Sequence, residues 1–184
     1  MLPTTVMALV LSASPTYPPP QVVADEYTTS EGRRTRWASV TYTLPDGRSA
    51  EVVLVADDAA RGDGYLFVEG EVIVHATYDD TIGLDSWTTS TPGGDALAAA
   101  ALFGLSGAPG HALLDAFTEG PQAFPCSEFG KGVLKAARYM WTGMVAASGA
   151  ACCGATAGSG CILCAGAAAI ANEVGKDALN NYCD

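Results

Sequence analysis

From Ala38 onward, apolar and polar positions alternate with a period of two. Ala38, Val40, Tyr42 and Leu44 are separated by Ser39, Thr41 and Thr43, which predicts a strand with one buried face. Leu44-Pro45-Asp46-Gly47 reads as a tight turn, because Pro fixes φ and Gly tolerates a positive one. Residues 50–56 predict the returning strand, DDAARGDG (57–64) a loop, and 65–68 and 72–78 two further strands around Gly70. Residues 30–85 are therefore expected to form a small antiparallel β domain.

The pattern then changes. Residues 86–125 read as a linker with two short helices. SWTTSTPGGD leads to Asp95 as the cap of a helix over 96–105, and a second helix covers about 109–118 before Gly120-Pro121. In residues 126–184, Lys131, Lys135 and Arg138 are spaced four and three apart, so on a helix they share one face. Val133, Leu134, Ala137, Met140 and Trp141 occupy the other. Residues 139–171 are 33 consecutive positions without Asp, Glu, Lys or Arg. As one helix they would run roughly 50 Å, past the ~30 Å of a hydrocarbon core. CCGATAGSGC in the middle is a poor helix interior. Two helices follow, about 128–151 and 161–175, joined by a small-residue loop. Ala146 with Ala150, and Gly154 with Gly158, are spaced for close helix approach. The expected class is α+β: a small antiparallel β-sheet body followed by an Ala/Gly-rich, disulfide-stapled α-helical hairpin.

Positions 1–24 read as a secretory signal or as a disordered, proline-rich segment. An apolar run over 6–13 precedes small residues and SPTYPPP, with Ser14 or Ala24 as candidate cleavage positions. No Lys or Arg precedes the run, and Arg33-Arg34 is followed by polar alternation rather than the apolar core of a twin-arginine signal.

Charge sharpens the division. The 184 residues carry 9 Lys+Arg and 20 Asp+Glu, a net charge of −11, which argues against nucleic acid as a partner. All of that net acidity lies before Cys126. Beyond it, Lys131, Lys135, Arg138 and Lys176 balance Glu128, Glu173, Asp177 and Asp184. The same neutral tail contains all 6 cysteines: Cys126, Cys152, Cys153, Cys161, Cys164 and Cys183. That density is typical of a disulfide scaffold and of an oxidising compartment. In an antiparallel hairpin, Cys152 and Cys153 approach Cys161 and Cys164 across the loop, and Cys126 approaches Cys183 at the open ends, a nested arrangement. A zinc site from the four central cysteines and a redox Cys161-x-x-Cys164 are the competing readings. Zinc knuckles usually carry paired Cys-x-x-Cys on polar turns, and the redox motif lacks a βαβ setting.

Nothing in the sequence points to catalysis, a cofactor or a metal. His75 falls in an expected strand. His111 with Asp115 and either Ser106 or Cys126 can be written as a constellation, but no nucleophile elbow, phosphate loop or metalloprotease helix accompanies it. The Asp residues at 57, 58, 79, 80 and 85 lack calcium-loop spacing and read as solvated charges, and Arg61-Gly62-Asp63 as ordinary loop.

The stretch KGVLKAARYMWTGMVAASGAACCGATAGSGCILCAGAAAIANEVGKDALNNYC resembles the C-terminal module of halocin-type bacteriocin precursors of the C-eight type. The likeness is confined to the tail that begins at Cys126, and it rests on composition and cysteine clustering. It implies a secreted antimicrobial precursor, cut by a processing protease near 120–125, whose Cys-rich helical peptide acts on related microbes while the upstream part confers immunity. The target would be an anionic membrane or a surface receptor. Lys131, Lys135 and Arg138 would meet headgroups at about 1 kcal/mol each, Trp141 would contact the membrane, and the tail would be able to self-associate. A secreted structural or cell-surface protein with an anchoring or oligomerising tail is the alternative.

Overall fold

A computed structural model describes residues 18–88, 93–119, 127–155 and 159–180. Among them, six strands precede four helices: β1 Gln21–Thr28, β2 Arg34–Thr43, β3 Ser49–Asp57, β4 Arg61–Val68, β5 Glu71–Asp79, β6 Gly83–Thr88, α1 Gly94–Leu105, α2 Ala108–Glu119, α3 Glu128–Ala155 and α4 Ser159–Asn180. The strands form one antiparallel meander in chain order. The class is α+β, with a disulfide-linked helical hairpin at the C-terminal end.

Turn chemistry sets the meander. Gly47 has φ 90° and its N–H donates to Leu44 O at 2.9 Å, closing the turn expected at 44–47. Glu69 and Gly70, with φ 51° and 80°, make a two-residue loop whose twist matches the flanking strands. Alternation then sorts the faces. Ala38, Val40, Tyr42, Val52, Leu54, Leu66, Val74 and Ala76 point into the core, while Trp37, Val53, Tyr65, Phe67 and His75 lie half-buried on the opposite face.

Every described helix lies on one side of the sheet. α2 covers β1 and β2, α3 runs across β3 to β6, α1 packs on α3, and α4 forms an outer layer on α1, α2 and α3. Arg36, fully buried on β2, ties in α2: its Nη2 donates to Ala116 O at 2.9 Å and its Nε to Phe117 O. Those carbonyls lie in the last turn of α2, the negative end of its dipole. Burial lowers the Arg36 pKa from its ordinary value, opposed by Glu26 and Asp25. Tyr42 OH donates to Ala101 O at 3.1 Å and so fixes α1.

Several expectations change. Residues 21–24 belong to β1, with Ala24 opposite Ala38, so a cut after Ala24 would remove half a strand. Residues 83–88 form β6, so 86–88 are strand rather than linker, and 61–64 extend β4, leaving only a short turn after Asp57. The cap of α1 is Gly93, not Asp95. The hairpin helices are longer than expected, 28 and 22 residues. Ala146 and Ala150 are exposed and line a groove beside β6; the close α3–α4 approach occurs at Gly149, where a Cβ would come 3.1 Å from Ala168 Cβ.

The sequence sets residues 126–184 apart as a module, yet α3 is the central helix of the whole core. Gly62 and Gly64 leave two notches in β4. A Cβ at Gly62 would meet Met140 Cε at 2.6 Å and also crowd Val55 O; one at Gly64 would meet Met144 Sδ at 2.9 Å. From the helix side, a Cβ at Gly143 would meet Leu84 at 2.8 Å and Ala76 at 3.1 Å. Gly62→Ala is therefore expected to lower stability by about 1–3 kcal/mol, because neither the Val55 carbonyl nor the packed helix can yield freely. Chemical denaturation measures it, and an unchanged midpoint would contradict this packing.

Candidate functional site

The hairpin α3–α4 carries every chemically distinctive residue that the sequence assigns to a membrane or a disulfide role within the described residues. Two disulfides close it near its loop: Cys152 with Cys164, and inside that Cys153 with Cys161. This is the nested order expected for an antiparallel pair. Cys126 and Cys183, expected to approach each other, lie outside the described residues. The four bonded sulfurs offer no thiolate to zinc, and Cys161 and Cys164 are each bonded to a cysteine of α3 rather than to each other, so the Cys-x-x-Cys redox pair is not formed. The pair 152–164 also packs with Ala99, so the staple is anchored to α1. Such disulfides fit an oxidising environment.

Further along, Trp141 holds the helices together. Its indole N–H donates to Ala171 O at 2.8 Å, and Gly175 leaves the ring its space on α4. Only 1% of Trp141 is exposed, so its expected membrane contact is not available in this arrangement. The sequence places it correctly on the apolar face of α3; that face meets protein. Val133, Leu134, Ala137 and Met140 are buried with it.

The cationic face turns outward, as its spacing predicts. Lys131 Nζ reaches Glu128 at 2.9 Å, one turn back, and Arg138 lies over the Tyr139 ring at 5.6 Å. Lys135 is different, because it crosses to the sheet and pairs with Asp80 in the β5–β6 turn. Tyr78 OH donates to the same carboxylate at 2.9 Å, and the Tyr78 and Tyr139 rings stack at 4.4 Å. Hydrogen bonds from Lys135 first and Tyr78 second hold the Asp80 carboxyl below its usual range. A carboxyl depressed in this way favours the folded state above the ordinary carboxylate pKa. That contribution disappears as acid protonates it. Chain spacing makes Asp80 a solvated loop charge, because a partner so far along the sequence leaves no local signal.

Among the described residues, the remaining candidates make separate contacts, and Cys126 lies outside them. His75 Nε2 lies 2.8 Å from Asp63, Trp87 Nε1 donates to His75 Nδ1 at 3.1 Å, and Tyr65 stacks on the imidazole at 4.5 Å. Trp87 can donate to Nδ1 only when that nitrogen carries no proton, so the ring's N–H faces Asp63. Arg61-Gly62-Asp63 is strand, not loop, with Arg61 on Asp57 and Asp63 on His75. His111 and Asp115 are exposed on α2, and Ser106 Oγ donates to Phe103 O at 2.9 Å. Among the described residues, no group of three or more His, Cys, Asp or Glu is disposed to hold a metal. No single described helix is long and apolar enough to cross a membrane; only the bent pair of residues 96–105 and 108–119 passes that test together.

Compared with protein-family models, curated proteins and solved structures, the chain has no match.

Replacing Cys152 and Cys164 together by Ser is expected to lower stability by about 2 kcal/mol, less than an isolated 12-residue loop would give, because Cys153–Cys161 inside it already closes most of the chain. Thermal melting of the oxidised proteins tests this; equal melting temperatures would mean the staple contributes nothing to the fold.

Proposed function

We propose that the chain is a secreted antimicrobial precursor. Its disulfide-stapled hairpin is the effector, and its acidic sheet covers the effector's apolar face until release. The observation that carries this reading is the seating of α3: Met140 and Met144 fill the glycine notches of β4, while Lys131, Lys135 and Arg138 look outward. Once freed, α3 would present cations on one face and Val133, Leu134, Met140 and Met144 on another, while Trp141 stays packed on α4 within the effector. Such a helix can lie in an anionic membrane interface. While attached, its apolar face is covered, Lys135 is occupied by Asp80, and the charge of the body opposes approach to anionic lipid.

Cleavage of the segment between α2 and α3 is therefore only the first step. Covalent release leaves the apolar contact and the Lys135–Asp80 pair in place, so the fragments stay together until a membrane or the target competes. Purified protein cut within residues 120–126 is expected to elute as one complex and to leave anionic vesicles intact. The ~6 kDa C-terminal piece, separated in denaturant and refolded oxidised, is expected to permeabilise them and inhibit an indicator strain. If the separated piece does neither, the antimicrobial reading fails.

One observation favours a second reading, a secreted structural or cell-surface protein working as an undivided unit. A single hydrophobic cluster runs from Ala38 on the sheet to Leu179 on α4. Mass spectrometry of secreted material separates the two: a processed peptide supports the precursor, and only intact chain in the cell-surface fraction supports the structural protein.

A further inference from the structure

The outer surface of α4 carries an apolar patch that no described part of the chain covers. Ile162, Leu163 and Ile170 are 74%, 69% and 58% exposed, and Phe103 of α1, 51% exposed, adjoins them. Together with Gly166 and Ala167 they line a shallow groove of about 330 Å³. Gly166 lies in its middle, and its presence there has no cause among the described residues. It has helical backbone, and a Cβ built on it meets no atom within 4 Å. Glycine is among the poorest residues for a helix interior, so an open position of this kind suits close approach by another backbone.

We infer that this face binds a second copy of the chain, with the two α4 helices antiparallel and crossing at Gly166. The spacing is symmetric about that residue: Ile162 lies four positions before it and Ile170 four after. In an isologous antiparallel pair, Gly166 opposes Gly166, and each Ile162 opposes Ile170 of the other copy. Charge agrees with this register. Of the charged residues of α4, only Glu173 falls opposite the other α4 helix, at its uncharged first residue, while Lys176 and Asp177 project beyond that residue, so no like charges meet along the helix pair. Glu173 falls opposite Ser159, the first residue of the other α4, where the positive end of a helix dipole favours an acid. The four exposed side chains present roughly 500 Å² per copy, a patch size that often marks an interaction site. Pairing would bury about 1,000 Å², the lower limit for a specific interface, which points to a reversible dimer. The inference is independent of any membrane activity, since it needs only the folded full-length protein.

Gly166→Leu tests it, because the sign of its effect is diagnostic. Leucine adds apolar surface, so general stickiness or lipid binding would increase, whereas a crossing at glycine would be blocked. In sedimentation equilibrium across a concentration series, the oxidised full chain is expected to dimerise, and Gly166→Leu to weaken the dimer at least tenfold with unchanged circular dichroism. Ile170→Lys, at an exposed position, is expected to do the same and serves if the leucine variant fails to fold. A chain that stays monomeric at every concentration overturns the inference, as does a Gly166→Leu variant that associates as well as the parent. A monomer that partitions onto anionic vesicles and loses this with Ile162→Lys overturns it too, and assigns the face to lipid.

Discussion

The seating of α3 on the sheet is the contact on which the rest of the structure depends. A one-sided sheet and an amphipathic helix each expose an apolar surface that cannot remain in water, and here each is the other's cover. Met140 and Met144, buried in the glycine notches of the sheet, each contribute on the order of 1.5–3 kcal/mol relative to exposure, a large share of the net stability of a domain of this size. The approach is close because glycine is used on both sides: Gly62 and Gly64 on the strand, Gly143 on the helix. Those same glycines carry a cost in intrinsic strand and helix preference, which packing offsets.

The outer helix inherits its position from that contact. α4 is rich in Ala and Gly and has few large side chains to bury, so burial alone fixes it weakly. It is held instead by the Trp141–Ala171 hydrogen bond, by contact of Gly149 with Ala168 and of Gly175 with Trp141, and by two disulfides closing short loops. Of the larger apolar side chains of α4, Leu179 is buried, whereas Ile162, Leu163 and Ile170 face away from the core. A helix stapled in this way can present an apolar surface outward without losing its place, which a helix held only by burial could not do.

The charge division has a structural counterpart. The acidic residues that make the body look like a separate soluble part include Asp80, which reaches across to Lys135, and Asp57, which accepts from Arg33 and Arg61. The surplus negative charge and the neutral tail are thus parts of one folded unit, joined by an ion pair and by the Tyr78–Tyr139 stack. This makes any release of the tail a dissociation as well as a cleavage.

Period-two alternation from Ala38 and the turn at 44–47 determined the central strands, and the uncharged run with a glycine-rich middle determined a hairpin rather than one long helix. These signals are local, set by side-chain spacing and backbone preference. Cysteine spacing with the antiparallel geometry also made the inner disulfides legible. β1 and β6 were not, because edge strands bury little and their alternation is weak; Val23 and Trp87 are about half exposed. Sequence alone also determined that α3 has an apolar face opposite its cations, and that Trp141 belongs to it. Only the tertiary structure decided what that face meets. Amphipathicity specifies that a surface must be covered, whereas the identity of the cover depends on glycine notches and partners that chain spacing does not connect.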